Sequence, residues 1–248
     1  PYAELQDGSQ NQWSFSPISE ESFAMVTRLL DEVLAGIKPP FIHIGGDESW
    51  DIGQGTSAEA VKEKGIGRVH ADYFMKLKHY IEEKYQARTL VYRDMILHHP
   101  EALQYLEKDS IIVDWGYVPQ DDYPTVRQIK DAGFKDFIVS PGLSSWVVFY
   151  PDYKKGFPNI AKYIEVGKRE GAIGCITSSW GDTGAENLRQ NNWPGYAWSA
   201  ACCWEEKTPE KDEFLSRFVW NRYAKQSEDM AEVLRLLGTS SGSDRVSV

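Results

Sequence analysis

The stretch FIHIGGDESWDIG, residues 41–53, runs from an apolar segment through two glycines into two adjacent carboxylates and a tryptophan. Adjacent acids repel each other, so a chain that keeps them beside an aromatic ring has either a solvated turn there or a use for the pair. Along a regular strand Asp47 and Glu48 would point to opposite faces. Gly45 and Gly46 lift that restriction, because glycine tolerates backbone conformations closed to other residues, and their missing side chains leave room for a substrate. Two acids flanking a glycosidic bond can divide acid and stabiliser roles when their environments push their pKa values apart. On this reading Glu48, next to an ionised Asp47 and buried against aromatic rings, has a raised pKa and donates the proton. A solvated strand-to-loop turn carrying two surface acids is the competing reading, and a bare Gly-Gly-Asp-Glu does not decide between them.

Working outward, short runs rich in Val, Ile, Phe and Tyr recur at 41–46, 89–95, 110–117, 136–142 and 174–180. They read as buried parallel strands. Amphipathic patterns fill the intervals at 19–35, 70–85, 123–132 and 160–170, and three more helices follow near 193–205, 209–225 and 228–237. Ser19 stands as an N-cap for the first, with Phe23, Val26, Leu29, Leu30 and Val33 on one face. Glu186 and Asn187 are placed to cap the helix after the last strand. Strands alternating with helices specify a parallel α/β sheet. Two closures satisfy that order, an open doubly wound sheet and a (β/α)8 barrel. No glycine-rich nucleotide fingerprint is present. Polar and aromatic residues gather instead at strand C-terminal ends, as a barrel active site requires: Asp47 and Glu48, Arg93 and Asp94, Trp115, Ser140, and Trp180 with Asp182. Five strands are present where a barrel needs eight, so the expectation is an incomplete (β/α)8 TIM barrel, about strands 4–8. A single barrel domain over 1–237 and a flexible tail over 238–248 complete that expectation.

Composition narrows the function classes. The 248 residues carry a formal net charge of -10, which disfavours nucleic acid or an anionic membrane as the main partner. Nine Trp and thirteen Tyr suit flat apolar faces such as sugar rings as well as a core. The three cysteines, Cys175, Cys202 and Cys203, form no disulfide framework and no zinc spacing, which leans toward a cytoplasmic setting. No membrane-length apolar run and no signal peptide is visible, and the chain opens on Pro1, so it is read as a piece of a longer polypeptide.

His43-Ile44-Gly45-Gly46-Asp47-Glu48 resembles the H-x-G-G-D-E signature of family 20 glycoside hydrolases, the β-N-acetylhexosaminidases. GCITSSWGDTGAENL, 174–188, looks like that family's last barrel strand. The branch it resembles most is that of bacterial exo-acting enzymes and hexosaminidase D. The resemblance implies a retaining, substrate-assisted reaction on β-N-acetylhexosaminide glycans, with no metal and no cofactor. It implies that Asp47 orients the sugar's acetamido group and that Glu48 is the acid and then the base. Trp180 would stack on the sugar, and Asp182, where the family usually has Glu, would meet outer hydroxyls. Trp115 is a second wall candidate. Tyr117 is the substitute for the family's acetamido-binding Tyr, ahead of Tyr150. Asp94 is a supporting partner or a sugar ligand, and Trp146 and Trp50 sit in loops that could contact the aglycone. His43 reads as a hydrogen-bonded core histidine, and His98 and His99 as surface residues. The family's first-strand Arg is absent, which implies a missing N-terminal barrel segment as a partner, in the same longer protein or another chain. Two readings stand beside this one: a non-catalytic carbohydrate-binding or assembly fragment lacking the first barrel strands, and a retaining barrel glycosidase indifferent to the acetamido group.

Overall fold

The structure is a computed structural model that describes residues 2–8, 13–182, 187–224 and 227–240. Its elements follow in the order α1 (Glu20–Leu34), β1 (Phe41–His43), α2 (Ala58–Lys64), α3 (Ile66–Tyr85), β2 (Arg88–Tyr92), α4 (Asp94–His98), β3 (Ile111–Trp115), α5 (Pro124–Asp131), β4 (Phe137–Ser140), α6 (Tyr153–Glu170), β5 (Gly174–Cys175), α7 (Trp193–Trp204), α8 (Lys211–Tyr223) and α9 (Glu228–Ser240). Strand order is β1-β2-β3-β4-β5, and the pairs β1/β2, β2/β3 and β4/β5 are parallel. A doubly wound sheet reverses direction within its strand order, whereas barrel strands follow one another in sequence. The observed order therefore decides between the two closures: the fold is α/β, five strands of an incomplete (β/α)8 barrel.

The chain divides into two compact units, residues 1–114 with 128–137, and residues 115–127 with 138–248. In the first unit Ile42, Ile81 and Ala87 form a small apolar cluster against which Leu30, Leu34, Ile44, Tyr80 and Tyr85 pack. Ser19 caps α1, its hydroxyl accepting from the Ser22 amide at 3.2 Å. Of the apolar face read for α1, Leu29 and Val33 are exposed, and so are Ile37 and Phe41. In the second unit a larger core joins Leu143, Tyr153, Phe157, Ile160 and Ile164 to Trp198, Phe214, Leu215, Phe218, Val219 and Leu234. Aromatic pairs bind it together, with Phe157 stacked on Trp198 at 4.9 Å and Phe214 set edge-on to Trp198 at 5.0 Å.

Several boundaries differ from those read in the sequence. Strand β1 stops at His43, not at 46, because Gly45 and Gly46 take φ of 71° and 89° and turn the chain out of the extended region. Strand β5 is two residues long, and beyond it Ser178 makes an isolated bridge to Gly142. Helix α6 begins at Tyr153 and contains Pro158 past its first turn, so the i to i−4 bond to the Lys154 carbonyl is missing there. Helices α2 and α4 have no strong periodic signal and were not anticipated. Helix α9 runs on to Ser240, three residues into the stretch read as a tail. Gly238 allows this: a Cβ there would lie 2.5 Å from the Tyr153 ring. Residues 241–248 and the capping position Glu186 lie outside the described residues.

Candidate active site

The carboxylate pair lies in the first unit, on the loop that leaves β1. Three of its four residues from 45 to 48 have left-handed backbone: Gly45, Gly46 and Glu48, the last at φ 50°. Such a conformation is costly for a residue with a Cβ and persists only where the surroundings hold it. Here the holding group is visible. The Glu48 amide donates to Asp94 Oδ2 at 2.8 Å, and Asp94 is buried at the first position of α4. Gly46 is pressed against the α3 side, where a Cβ would stand 2.8 Å from the Phe74 ring and 3.1 Å from Val91. The Gly45 carbonyl accepts from the Tyr92 amide at 3.0 Å, which registers the loop against β2. Below it Arg93 donates to Asp114 Oδ1 at 2.6 Å, and Asp114 is wholly buried.

Burial separates the two acids, and it falls on Asp47 and not on Glu48 as the sequence reading expects. Asp47 is half-buried, and burial raises its pKa above the usual carboxylate range, with the nearby Asp94 charge adding to the rise. Its own backbone amide opposes part of that shift. Glu48 is exposed, so the burial against aromatic rings expected for it is not what the structure shows. The reason is conformational: the left-handed turn at Glu48 carries its side chain off the core-facing surface.

His43 accepts from the Gly45 amide through Nδ1 at 2.9 Å and lies against Tyr92, with ring centroids 4.2 Å apart. Burial pushes its pKa down to about 4, so the ring is neutral, and Nε2 has no partner among the described residues. Downstream, Asp51 Oδ2 accepts the Trp13 and Ser14 amides at 3.1 and 3.0 Å. Asp7 takes the Gly53 and Ser57 amides at 2.9 and 2.7 Å. These two buried acids strap the loop after the carboxylate pair to the N-terminal segment. Trp50 is exposed and meets His98 edge-on at 5.2 Å.

The aromatic candidates lie together in the second unit. Tyr117 is their centre: it stacks on Trp115 at 5.1 Å, touches Trp146 at 5.0 Å, and accepts from Trp180 Nε1 at 2.9 Å. Its own hydroxyl proton goes to Ser178 Oγ at 3.3 Å. Gly142 makes the seat, since a Cβ there would lie 2.6 Å from the Tyr117 ring. Asn159, fully buried on α6, fixes the frame: its Oδ1 accepts the Gly142 amide at 2.9 Å, and its Nδ2 donates to the Gly116 carbonyl at 2.9 Å and to the Tyr123 hydroxyl at 2.8 Å. Trp180 keeps 43% of its surface exposed, and Asp182 is exposed in the following turn. Tyr150 turns toward the core beside Tyr153, and burial raises its pKa to about 12. Asn187 bonds to Asn192 and Asn191 at the start of α7.

Asp114, Asn159, Gly142, Asp7 and Asp51 were not singled out in the sequence. Asp114 alone carried a signal, as a lone acid inside the apolar run 110–117 next to a strand offering Arg93. Among the described residues no helix is long and apolar enough to cross a membrane, and no three His, Cys, Asp or Glu side chains cluster as a metal site would need.

The sequence profile described as Glycosyl hydrolase family 20, catalytic domain, matches residues 2–232. The chain belongs to glycoside hydrolase family 20. That match takes in both the H-x-G-G-D-E loop and the last strand, and it places the chain among glycoside hydrolases that act on hexosaminides. No individual curated protein matched it.

Proposed function

We propose that this chain carries the acid–base machinery of an exo-β-N-acetylhexosaminidase that releases terminal N-acetylglucosamine or N-acetylgalactosamine with retention, nearest the bacterial exo-acting and hexosaminidase D branch. The observation that carries the reading is the loop 45–48, where left-handed backbone and the Asp94 contact hold two adjacent acids in unlike environments. Family 20 departs from the two-carboxylate scheme because the substrate's own acetamido oxygen is the nucleophile. In this reading it attacks the anomeric carbon and forms an oxazolinium intermediate. Asp47 orients that group and offsets its positive charge. Its raised pKa means that this role is lost as pH falls. Glu48 protonates the leaving oxygen, then takes a proton from the incoming water. Asp94 acts through Glu48, as a positioning residue. Trp180, Trp115 and Tyr117 supply sugar-binding surface, with Asp182 and Trp146 toward outer groups.

Further barrel strands are the proposed partner. Phe41 on the edge strand β1, Val33 on α1 and Ile37 between them are 47%, 67% and 54% exposed, apolar surface that water does not favour. The test is Glu48→Gln in the protein that includes those strands, assayed on an aryl β-N-acetylglucosaminide with a poor leaving group. General acid catalysis contributes roughly 10²–10⁴-fold, and kcat falls by that much. A loss of less than about tenfold removes Glu48 from the acid role. Sugar binding by calorimetry with no turnover in the unmutated protein would favour a carbohydrate-binding module instead.

A further inference from the structure

The second unit holds a thiol pair that the glycosidase reading does not use. Cys175 ends β5 and Cys203 lies in the last turn of α7, and the two thiols meet at the wall of one cavity, where each acts on the other's titration. Both thiols line an open cavity of about 220 Å³ with Lys168, Val139, Ile164 and Ile173. Cys203 is the exposed member, Cys175 is half-buried, and Cys202 beside them is buried. Lys168 is held at the cavity by donating to the Cys202 and Glu205 carbonyls at 2.7 and 2.6 Å. It thus places a cation where the C-terminal end of α7 would otherwise disfavour an anion. Thr177 Oγ1 lies 3.7 Å from Cys175 Sγ and 2.5 Å from Ser199 Oγ, so polar groups ring the buried side of the pair.

We propose that Cys203 and Cys175 form a peroxide-reactive site, with Cys203 the attacking sulfur and Cys175 the resolving one. The ligand class is a small hydroperoxide, hydrogen peroxide included. In the first step the Cys203 thiolate sulfur attacks the distal oxygen. An S–O bond forms, the O–O bond breaks, the sulfur loses two electrons, and the peroxide leaves as water or an alcohol after taking up a proton. In the second step the Cys175 sulfur attacks the sulfenic sulfur. An S–S bond forms, the S–O bond breaks, and hydroxide leaves with the Cys175 proton as water. Two thiols and one hydroperoxide thus give one disulfide, one alcohol and one water, with no other reductant required.

The division of roles follows from surroundings. The neighbouring Cys175 thiol, with help from Lys168, draws the Cys203 pKa down to about 7, whereas the Cys175 and Cys202 thiols are pushed up, the latter by burial to about 12. The Glu205 carboxylate, on the residue whose carbonyl anchors Lys168, engages Arg217 at 3.6 Å. The site is independent of the carboxylate loop, so its test can fail while the glycosidase reading stands.

The test is a stoichiometric dose of hydrogen peroxide on the fully reduced chain, followed by alkylation and peptide mapping. The expected product is a single Cys175–Cys203 linked peptide, lighter by two hydrogens and reversed by dithiothreitol, with Cys202 still alkylatable. In Cys175→Ser the reaction stops at a Cys203 sulfenic acid that dimedone captures. In Cys203→Ser, Cys175 stays reduced over the same interval. A Cys202–Cys203 bond, or both Cys175 and Cys203 remaining free after the dose, overturns the proposal. If the serine variants do not fold, a brief iodoacetamide pulse on the unmutated chain at neutral pH decides. Cys203 is labelled more than about tenfold faster than Cys202, as its thiolate character requires, and equal rates overturn the assignment.

Discussion

The two units build their candidate surfaces by different means. In the first, backbone conformation does the placing: Gly45, Gly46 and Glu48 are left-handed, and a single buried acid, Asp94, holds the Glu48 amide. In the second, side-chain packing does it: Tyr117 sits on Gly142 amid Trp115, Trp146 and Trp180, and Asn159 ties the frame from behind. A site made by backbone geometry depends on a few residues that cannot be replaced. A site made by packing spreads the dependence over many, each worth less.

That contrast can be broken by substitution. Gly46→Ala carries the largest expected effect of the four below. The new Cβ meets the Phe74 ring at 2.8 Å from a φ of 89°, which costs roughly 1–3 kcal/mol and displaces Asp47. Misplacement of a reacting group by about 1 Å costs on the order of 10²-fold in kcat. Gly45→Ala is the control, because its Cβ meets only Asp47 Oδ1, at 3.7 Å, and it should lose distinctly less. Equal losses in kcat and melting temperature for the two would show that the Phe74 contact is not what shapes the loop.

Asn159→Ala comes next, and it acts on stability first. It strands the buried Gly142 amide, takes a donor from the Gly116 carbonyl, and leaves the Tyr123 hydroxyl with its bond to the Val118 carbonyl. Unpaired buried polar groups cost about 1–3 kcal/mol each before relaxation, so a net loss of about 3 kcal/mol is expected in a denaturant titration. An unchanged midpoint would mean that the frame behind Tyr117 is held by packing alone.

Tyr117→Phe removes the acceptor for Trp180 Nε1 without moving the stack on Trp115. A net hydrogen bond is worth about 1 kcal/mol, so KM for the hexosaminide rises about fivefold while kcat holds. A fall in kcat with constant KM would instead place Tyr117 at the reacting acetamido group. The smallest change is that of Asp94→Asn, which keeps an acceptor for the Glu48 amide but removes a charge that raises the Asp47 pKa. Asp47 then stays ionised to lower pH, and the acid limb of the kcat/KM profile moves down. Burial, the larger cause of the rise, is untouched, so the limb does not shift all the way to that of a solvated carboxylate. A limb that stays in place would show that the Asp94 charge does not act on Asp47.

The sequence by itself determined the alternation of strand and helix, the turn at Gly45 and Gly46, and the carboxylate pair that follows. These are local facts. Apolar runs bounded by glycine, and a residue type that alone tolerates a given φ, announce themselves without reference to distant neighbours. The motif residues were legible for the same reason. What the sequence misassigned was the environment of the pair: burial falls on Asp47, while Glu48 stands exposed, because the left-handed turn at Glu48 is fixed by Asp94, 46 residues away. Strand order also belonged to the tertiary structure. The same alternation serves an open sheet or a barrel, and only the pairing of each strand with the next in sequence chose the barrel. The seat of Tyr117 was equally hidden, since nothing in the composition of α6 marks Asn159 as the group that joins Gly116 to Gly142. Burial and long-range hydrogen bonds are properties of pairs brought together by folding. Periodicity and backbone permission are properties of the chain, and that is where the line falls.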